Sequence, residues 1–167
     1  KMSRSTSPLL LKKKNSSVAS RKSNKKSTLA PHPIDQDYEK LNCDIKVLKE
    51  GNTERTILNE YVQRTSHGMN IKVIDAFKIE RDGEADIFTP NNLGNKKLLF
   101  HGSAFSNFVG ILSNGMRIAP PEAPASGYNF GKGVYFADQS YKSWNYTRPY
   151  LSDGVGVYVM CEVALGK

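Results

Sequence analysis

The chain has 167 residues, 38% of them hydrophobic, and a net charge of +8, which fits one domain plus a tail. The charge is uneven: residues 1–34 hold nine Lys or Arg and no acid, whereas residues 35–167 hold 15 basic and 16 acidic residues. No apolar run approaches the roughly 18 residues that a membrane span needs, and "LLL" at 9–11 is too short for the core of a secretory signal, so we expect no membrane association.

Residues 1–33 are predicted to form a disordered basic tail, because this Ser- and Lys-rich segment buries too little apolar surface to offset its ordering entropy. Three interpretations of the tail stay open. It is a solvated linker, a contact for DNA or another polyanion, or a nuclear import signal around "RKSNKK" that would direct the protein to the nucleus. Residues 34–167 are predicted to form the folded domain.

The first half of this domain is predicted to contain a turn and short strand over 34–48, then a helix over 53–64. The helix is predicted from an apolar face that Asn52 or Thr53 would cap. That face comprises Ile57, Leu58, Tyr61 and Val62. Residues 70–84 alternate between apolar and polar positions, which predicts a strand that ends at the Asp82-Gly83 turn.

The second half is predicted to run strand, helix, loop, strand, helix, strand. The strands are "KKLLFHGS" from residue 96, "GVYFAD" from 133 and "GVGVYVMCEVAL" from 154, the last buried on both sides. A helix from Ser106 as its cap to Gly115 as its stop lies between the first two, and a helix "QSYKSWNY" capped by Asp138 precedes the last. Separate helices and strands of this kind predict an α+β fold.

Several site classes are disfavoured by spacing. The two cysteines and three histidines show no metal-ligand spacing, so no metal site is predicted, and a reducing compartment is favoured over a disulfide. The segment "GYNFGKGVYFAD" lacks the Ser or Thr, the glycine spacing and the following helix of a phosphate-binding loop.

Three short pieces remain as a candidate site. His101, Gly102 and Ser103 end a predicted strand, and Gly102 would let a ligand approach the backbone closely. Tyr135 lies on the next strand. Ser143 and Tyr146 lie three apart on one face of the following helix. Together they offer two rings and a hydroxyl that can hold a flat heterocycle bearing an amide, although each tyrosine taken singly is more typical of a core residue.

From about Pro33 onward the sequence closely resembles the catalytic domain of poly(ADP-ribose) polymerases, in particular the DNA-dependent nuclear members. The strings that carry the resemblance are "PIDQDYEKL", "VIDAFKIERDGE", "LLFHGS", "GILSNGMRIAPPEAP", "GYNFGKGVYFAD", "KSWNY" and "EVALG". The resemblance implies an ADP-ribosyltransferase-type split β-sheet fold that binds NAD⁺ as substrate and transfers ADP-ribose to protein acceptors, releasing nicotinamide. This is a pentosyl transfer with no metal cofactor.

The resemblance also implies roles for individual residues. His101 would contact ribose hydroxyls, Gly102 and Ser143 would bind the nicotinamide carboxamide, and Tyr135 and Tyr146 would stack on its ring. His101 and Tyr135 are the residues expected to serve catalysis. The residues expected at the adenosine and phosphate end are Ser103, Asn107, Gly110 and Arg117.

The family's catalytic Glu has no counterpart in residues 1–167, since Glu162 belongs to the "EVALG" strand and does not match its position. The chain begins Lys-Met and stops directly after a strand pattern, so we expect a fragment whose fold is incomplete at the C-terminus and which alone does not turn over. The alternatives are a catalytically inert module that binds NAD⁺ or polyanions, and a nucleic-acid-binding protein that uses only its tail. The resemblance also implies a role in DNA repair.

Overall fold

The computed structural model describes residues 30, 32–88, 93–118 and 129–166. The predicted tail therefore lies almost entirely outside the described residues, as does the part of the long loop at 119–128, and the domain boundary at residue 34 stays a prediction. The helices are α1 (Pro33–Lys40), α2 (Thr53–Arg64), α3 (Glu84–Ile87), α4 (Phe108–Asn114) and α5 (Ser140–Thr147). The strands are β1 (Cys43–Val47), β2 (Phe77–Arg81), β3 (Lys96–Ser103) and β4 (Val157–Ala164).

The strands form two small antiparallel sheets, which confirms the α+β prediction. Strand β1 pairs with β2 in a register that sets Cys43 opposite Arg81. Strand β3 pairs with β4 along its whole length, so that Lys96 faces Ala164 and Ser103 faces Val157. The second sheet carries the candidate site, because its strand β3 ends in the His-Gly-Ser segment.

The core lies between α2, β3 and α5. Phe100 of β3 is completely buried, with the Tyr61 ring centroid 4.7 Å away and that of Tyr158 5.6 Å away. Val62 and Ile71 complete the buried cluster. These contacts join helix α2 to the strand pair that holds the site.

Helix α1 replaces the turn predicted at this point. Pro33 occupies its first turn, where a missing N–H costs nothing, and the imidazole Nδ1 of His32 accepts from the Ile34 N–H at 3.2 Å. None of its residues is buried, so α1 lies outside the core. The Tyr38 hydroxyl ties it to β1, by accepting from the Ile45 N–H at 3.0 Å.

Helix α2 is confirmed with Asn52 as its cap, but its predicted apolar face is partly wrong. The Asn52 side chain accepts from the Arg55 N–H at 3.2 Å, as expected. Ile57 is 56% exposed, whereas Arg55 is buried and its guanidinium donates to the carbonyls of Leu48 (2.9 Å) and Ile74 (2.8 Å). A buried arginine is stable here because backbone carbonyls satisfy its donors.

The strand predicted over 70–84 is shorter than expected, since only Phe77–Arg81 pairs in the sheet. In the preceding segment, backbone carbonyls accept hydrogen bonds from side chains instead. The Ile74 carbonyl accepts from Arg55, and the Ile71 carbonyl accepts from the Gln63 amide at 2.6 Å. Carbonyls used in this way are not available to a sheet partner.

Three local predictions around the site are wrong. The "GVYFAD" segment forms no strand, because it meets β3 only at one bridge, where Phe100 and Ala137 exchange hydrogen bonds. Ser106 is not a helix cap: it lies in a 3₁₀ turn over Phe105–Asn107, although Gly115 does end α4 with φ of 76°. Asp138 does not cap α5 either.

The start of α5 is held by α2 rather than by its own cap. The Ser140 N–H donates to the Thr65 hydroxyl at 3.1 Å, and the Ser140 hydroxyl donates to the Val62 carbonyl at 2.9 Å. Strand β4 is confirmed, but of its residues only Val159 is fully buried. Glu162 on β4 is exposed and pairs with Lys96 at 2.7 Å.

Candidate active site

The end of β3 lies directly under α5. A Cβ on Gly102 would overlap the backbone carbonyl of Ser143 and come within 3.2 Å of the Thr147 methyl group. Glycine is therefore required at this position for the helix to pack, in addition to the ligand approach that the sequence suggested. This close packing brings Gly102 and Ser143 together, as predicted.

Ser143 faces inward from α5. It is buried, at 3% exposure, and its hydroxyl donates to the Phe100 carbonyl at 3.2 Å. The same carbonyl accepts from the Ala137 N–H, so Phe100 links the helix to the 130–138 segment. Because its hydrogen is used, the Ser143 hydroxyl retains lone pairs that can accept from an amide N–H.

His101 connects β3 to Tyr135. Its Nδ1 lies 2.9 Å from the Tyr135 carbonyl, which can only accept, so Nδ1 carries the hydrogen. In the neutral ring, Nε2 is then an acceptor that can take a hydrogen bond from a hydroxyl group. The imidazole also meets the edge of Phe136, with centroids 5.8 Å apart. The histidine is thus held at a fixed tautomer and orientation.

The two predicted stacking rings differ in their surroundings. The Tyr135 hydroxyl donates to the Gly131 carbonyl at 2.6 Å and accepts from the Phe130 N–H at 3.1 Å, so this ring is fixed by its own loop. The Tyr146 ring is 62% exposed at the end of α5. An exposed aromatic face next to a polar backbone edge can stack on a flat heterocycle.

A cavity of about 390 Å³ opens at this edge. Its lining residues are Gly102, Ser103, Ala104, Ser106, Asn107, Asn145, Tyr146 and Arg148. Four of these were predicted as site residues. Within the lining, the Asn107 amide donates to the Ser103 hydroxyl at 3.0 Å. Three other predicted site residues, His101, Tyr135 and Ser143, do not line the cavity. Ser143 packs against Gly102, and Tyr135 is connected to β3 through its hydrogen bond with His101.

Gly110 and Arg117 are not brought into this cavity. Gly110 lies on the exposed surface of α4, and Arg117 donates to the Asn114 side chain at 3.2 Å just beyond that helix. Sequence reasoning also missed Asn145 and Arg148. Their only sequence signal was proximity to Tyr146, because a polar residue late in a helix or just after it is unremarkable until its cavity is known.

A second cavity of about 320 Å³ lies between β4, α3 and the segment after α4. The Arg81–Glu84 ion pair, 2.8 Å long, lines it together with Cys161 and Glu162. Burial raises the pKa of the Cys161 thiol to about 11, so at neutral pH it is protonated and a poor nucleophile. Burial likewise raises the pKa of Tyr158, whose hydroxyl donates to the Ser140 carbonyl at 2.9 Å.

Neither a metal nor a membrane span is indicated in the part of the chain that the structure describes. In those ranges, no group of three or more His, Cys, Asp or Glu side chains could hold a metal ion. No helix among the same residues is long and apolar enough to cross a bilayer.

Comparison with known proteins agrees with the fold. The family model of the poly(ADP-ribose) polymerase catalytic domain matches residues 52–167. Poly(ADP-ribose) polymerase 1 of Gallus gallus is 49% identical over 140 residues, which are 81% of this chain and 14% of that protein. Poly(ADP-ribose) polymerase of Drosophila melanogaster is 46% identical over 142 residues, 82% of this chain and 14% of that protein.

Poly(ADP-ribose) polymerase 2 of Homo sapiens is 46% identical over 140 residues, which are 81% of this chain and 24% of that protein. The chain thus spans a quarter or less of the length of these relatives.

Proposed function

The chain belongs to the poly(ADP-ribose) polymerase catalytic-domain family, and from this premise we propose that it binds NAD⁺ as a substrate at the β3–α5 edge. A protein that contains this domain would transfer ADP-ribose to protein acceptors and release nicotinamide. The observation that carries the proposal is that Gly102 and Tyr146 line one cavity, with Ser143 packed directly against Gly102.

These groups suit the nicotinamide end of NAD⁺. The Gly102 backbone and the Ser143 hydroxyl offer hydrogen bonds to a carboxamide, and the Tyr146 ring offers a stacking face. His101 Nε2 can accept from a ribose hydroxyl. Breaking the bond between nicotinamide and ribose leaves the electron pair on the departing ring and positive charge on the sugar, as in glycoside cleavage. Holding both ends in place is therefore the contribution expected of these residues.

We expect Tyr146→Ala to weaken nicotinamide binding by about tenfold, because a stacked ring contributes on the order of 1–1.5 kcal/mol beyond simple burial. Isothermal titration calorimetry with nicotinamide measures the change. Tyr150→Ala is the matched control, since that ring is 77% exposed and does not line the cavity. Equal affinities for the two variants would contradict the assignment of the nicotinamide subsite.

We propose that a polypeptide of residues 1–167 binds NAD⁺ but does not consume it. No Glu in this range matches the family's catalytic position. Glu162 pairs with Lys96 and lines the second cavity rather than the one at Gly102. An assay with NAD⁺ labelled in the nicotinamide ring should show bound but unreleased label, as also expected of the alternative, a catalytically inert NAD⁺-binding module. Sustained nicotinamide release would contradict the proposal.

We also propose that the basic tail of residues 1–33 contacts DNA or another polyanion and supports a nuclear location. The support is its charge: nine basic residues and no acid in residues 1–34. Such binding falls steeply as salt rises, because each neutralised phosphate releases a counterion. DNA titrations at increasing salt concentrations, with and without residues 1–33, test this part of the proposal.

A further inference from the structure

Arg148 lies at the end of α5 in a backbone conformation that arginine rarely adopts. Its φ of 51° and ψ of 55° are left-handed, a region where a Cβ is disfavoured. Pro149 follows directly, and a residue before proline is normally extended. A glycine would end the helix here without this strain. The arginine is nevertheless held, in part by the hydrogen bond from the Leu151 N–H to its carbonyl at 3.0 Å.

The strained residue lines the same cavity as Gly102 and Tyr146. Exposed arginines are common on protein surfaces, so the evidence for a role of Arg148 is its place in the cavity rather than its exposure. Among the described residues, its guanidinium makes no hydrogen bond or ion pair. Its donors are therefore available to a ligand in the cavity.

The rest of the cavity lining favours an anion as that ligand. Ser103, Ser106, Asn107 and Asn145 add hydroxyl and amide groups, and no carboxylate occurs among the described residues that line the cavity. A phosphate group is bound well by a cation beside neutral hydrogen-bond donors when no carboxylate competes for the cation.

We propose that Arg148 binds the diphosphate of the dinucleotide substrate and so distinguishes phosphate-bearing ligands from free nicotinamide. This inference rests on the proposed function, because it assigns the anionic part of NAD⁺ to the cavity whose other edge would hold nicotinamide. The nicotinamide ring of NAD⁺ is itself positively charged, so the diphosphate is the part of the molecule that a guanidinium attracts.

The test uses Arg148→Gly, which removes the charge and also relieves the left-handed strain. We expect NAD⁺ and ADP-ribose to bind about tenfold more weakly, in line with the loss of one charge-assisted hydrogen-bonded pair, while nicotinamide affinity stays unchanged. The melting temperature should stay within a few degrees of the wild type, because strain relief offsets the greater freedom of glycine in the unfolded chain. A residue that merely ends the helix would change the melting temperature and leave ADP-ribose affinity alone.

Two further variants sharpen the result. Arg148→Lys keeps the charge but loses the planar fork, so its ADP-ribose affinity should fall between those of the wild type and Arg148→Gly. Arg64→Ala removes an exposed arginine of α2 that pairs with Glu60 at 3.2 Å and does not line the cavity, so it should bind all ligands normally. If Arg64→Ala lost as much ADP-ribose affinity as Arg148→Gly, the effect would be explained by net charge alone, and the inference would be overturned.

Binding of inorganic pyrophosphate tests this inference separately from the proposed function. If the wild type fails to bind nicotinamide, the proposed function is overturned. The Arg148 assignment is still decided by pyrophosphate, which should bind the wild type and bind Arg148→Gly about tenfold more weakly. Unchanged pyrophosphate and ADP-ribose affinities in Arg148→Gly would overturn it.

Discussion

Gly102→Ala is expected to destabilise the protein by about 3 kcal/mol and to abolish nicotinamide binding. The new methyl group would overlap the Ser143 carbonyl, which is backbone within α5 and cannot rotate away. Either the helix shifts from β3 or the strand moves, and both break the edge that we assign to the carboxamide. Urea unfolding measures the stability, and calorimetry with nicotinamide measures the binding.

Gly110→Ala is the matched control for stability. A Cβ at Gly110 meets nothing within 4 Å, and the residue lies inside α4. Alanine there should raise the free energy of unfolding by roughly 0.5–1 kcal/mol, since glycine costs about that much within a helix. The same chemical change thus has opposite expected signs at the two sites. If Gly102→Ala unfolded at the wild-type urea concentration, the close packing of α5 on β3 would be disproved.

Phe100→Ala is expected to cost about 4 kcal/mol of stability. The ring is completely buried between Tyr61 and Tyr158, so its removal leaves a cavity that these large rings cannot fill without moving. The loss is a large fraction of the stability of a typical small domain. The variant should therefore be partly unfolded at 37 °C, as measured by circular dichroism and by its denaturant midpoint.

Phe130→Ala removes the same ring at a position that is 91% exposed. Its backbone N–H donates to the Tyr135 hydroxyl, and that contact survives the substitution. We expect a change within about 0.5 kcal/mol. Similar losses for Phe100→Ala and Phe130→Ala would show that the core does not lie between α2, β3 and α5.

Strand β3 contributes both to the core and to the candidate site. The Phe100 ring fills the core, while its carbonyl accepts from Ser143 and from Ala137. His101 and Gly102 follow immediately, one facing the Tyr135 carbonyl and the other lying under α5. Since neighbouring residues of a strand point to opposite faces, one short segment can support the core and present the site at once.

The sequence by itself determined the elements whose signals are local. Helix α2 follows from its cap and periodicity, and strands β3 and β4 follow from their apolar runs. Gly102, Ser143 and Tyr146 were predicted as site residues from their types and from the resemblance. The structure places Gly102 and Tyr146 in the lining of one cavity and Ser143 against Gly102. Residue type and short spacing were enough for the helix and the strands, because their signals lie within a few residues.

Only the tertiary structure decided features that depend on partners far apart in the chain. The 133–138 segment has a strand-like pattern, yet it pairs at one bridge because its remaining backbone meets no partner strand in the described residues. Thr65 and Val62 supply the hydrogen bonds at the start of α5, some 75 residues away, so the expected local cap is not used. The role proposed for Arg148 also depends on the tertiary structure. A solvent-exposed arginine suggests no site by itself, and only folding places Arg148 in one cavity with Gly102 and Asn107.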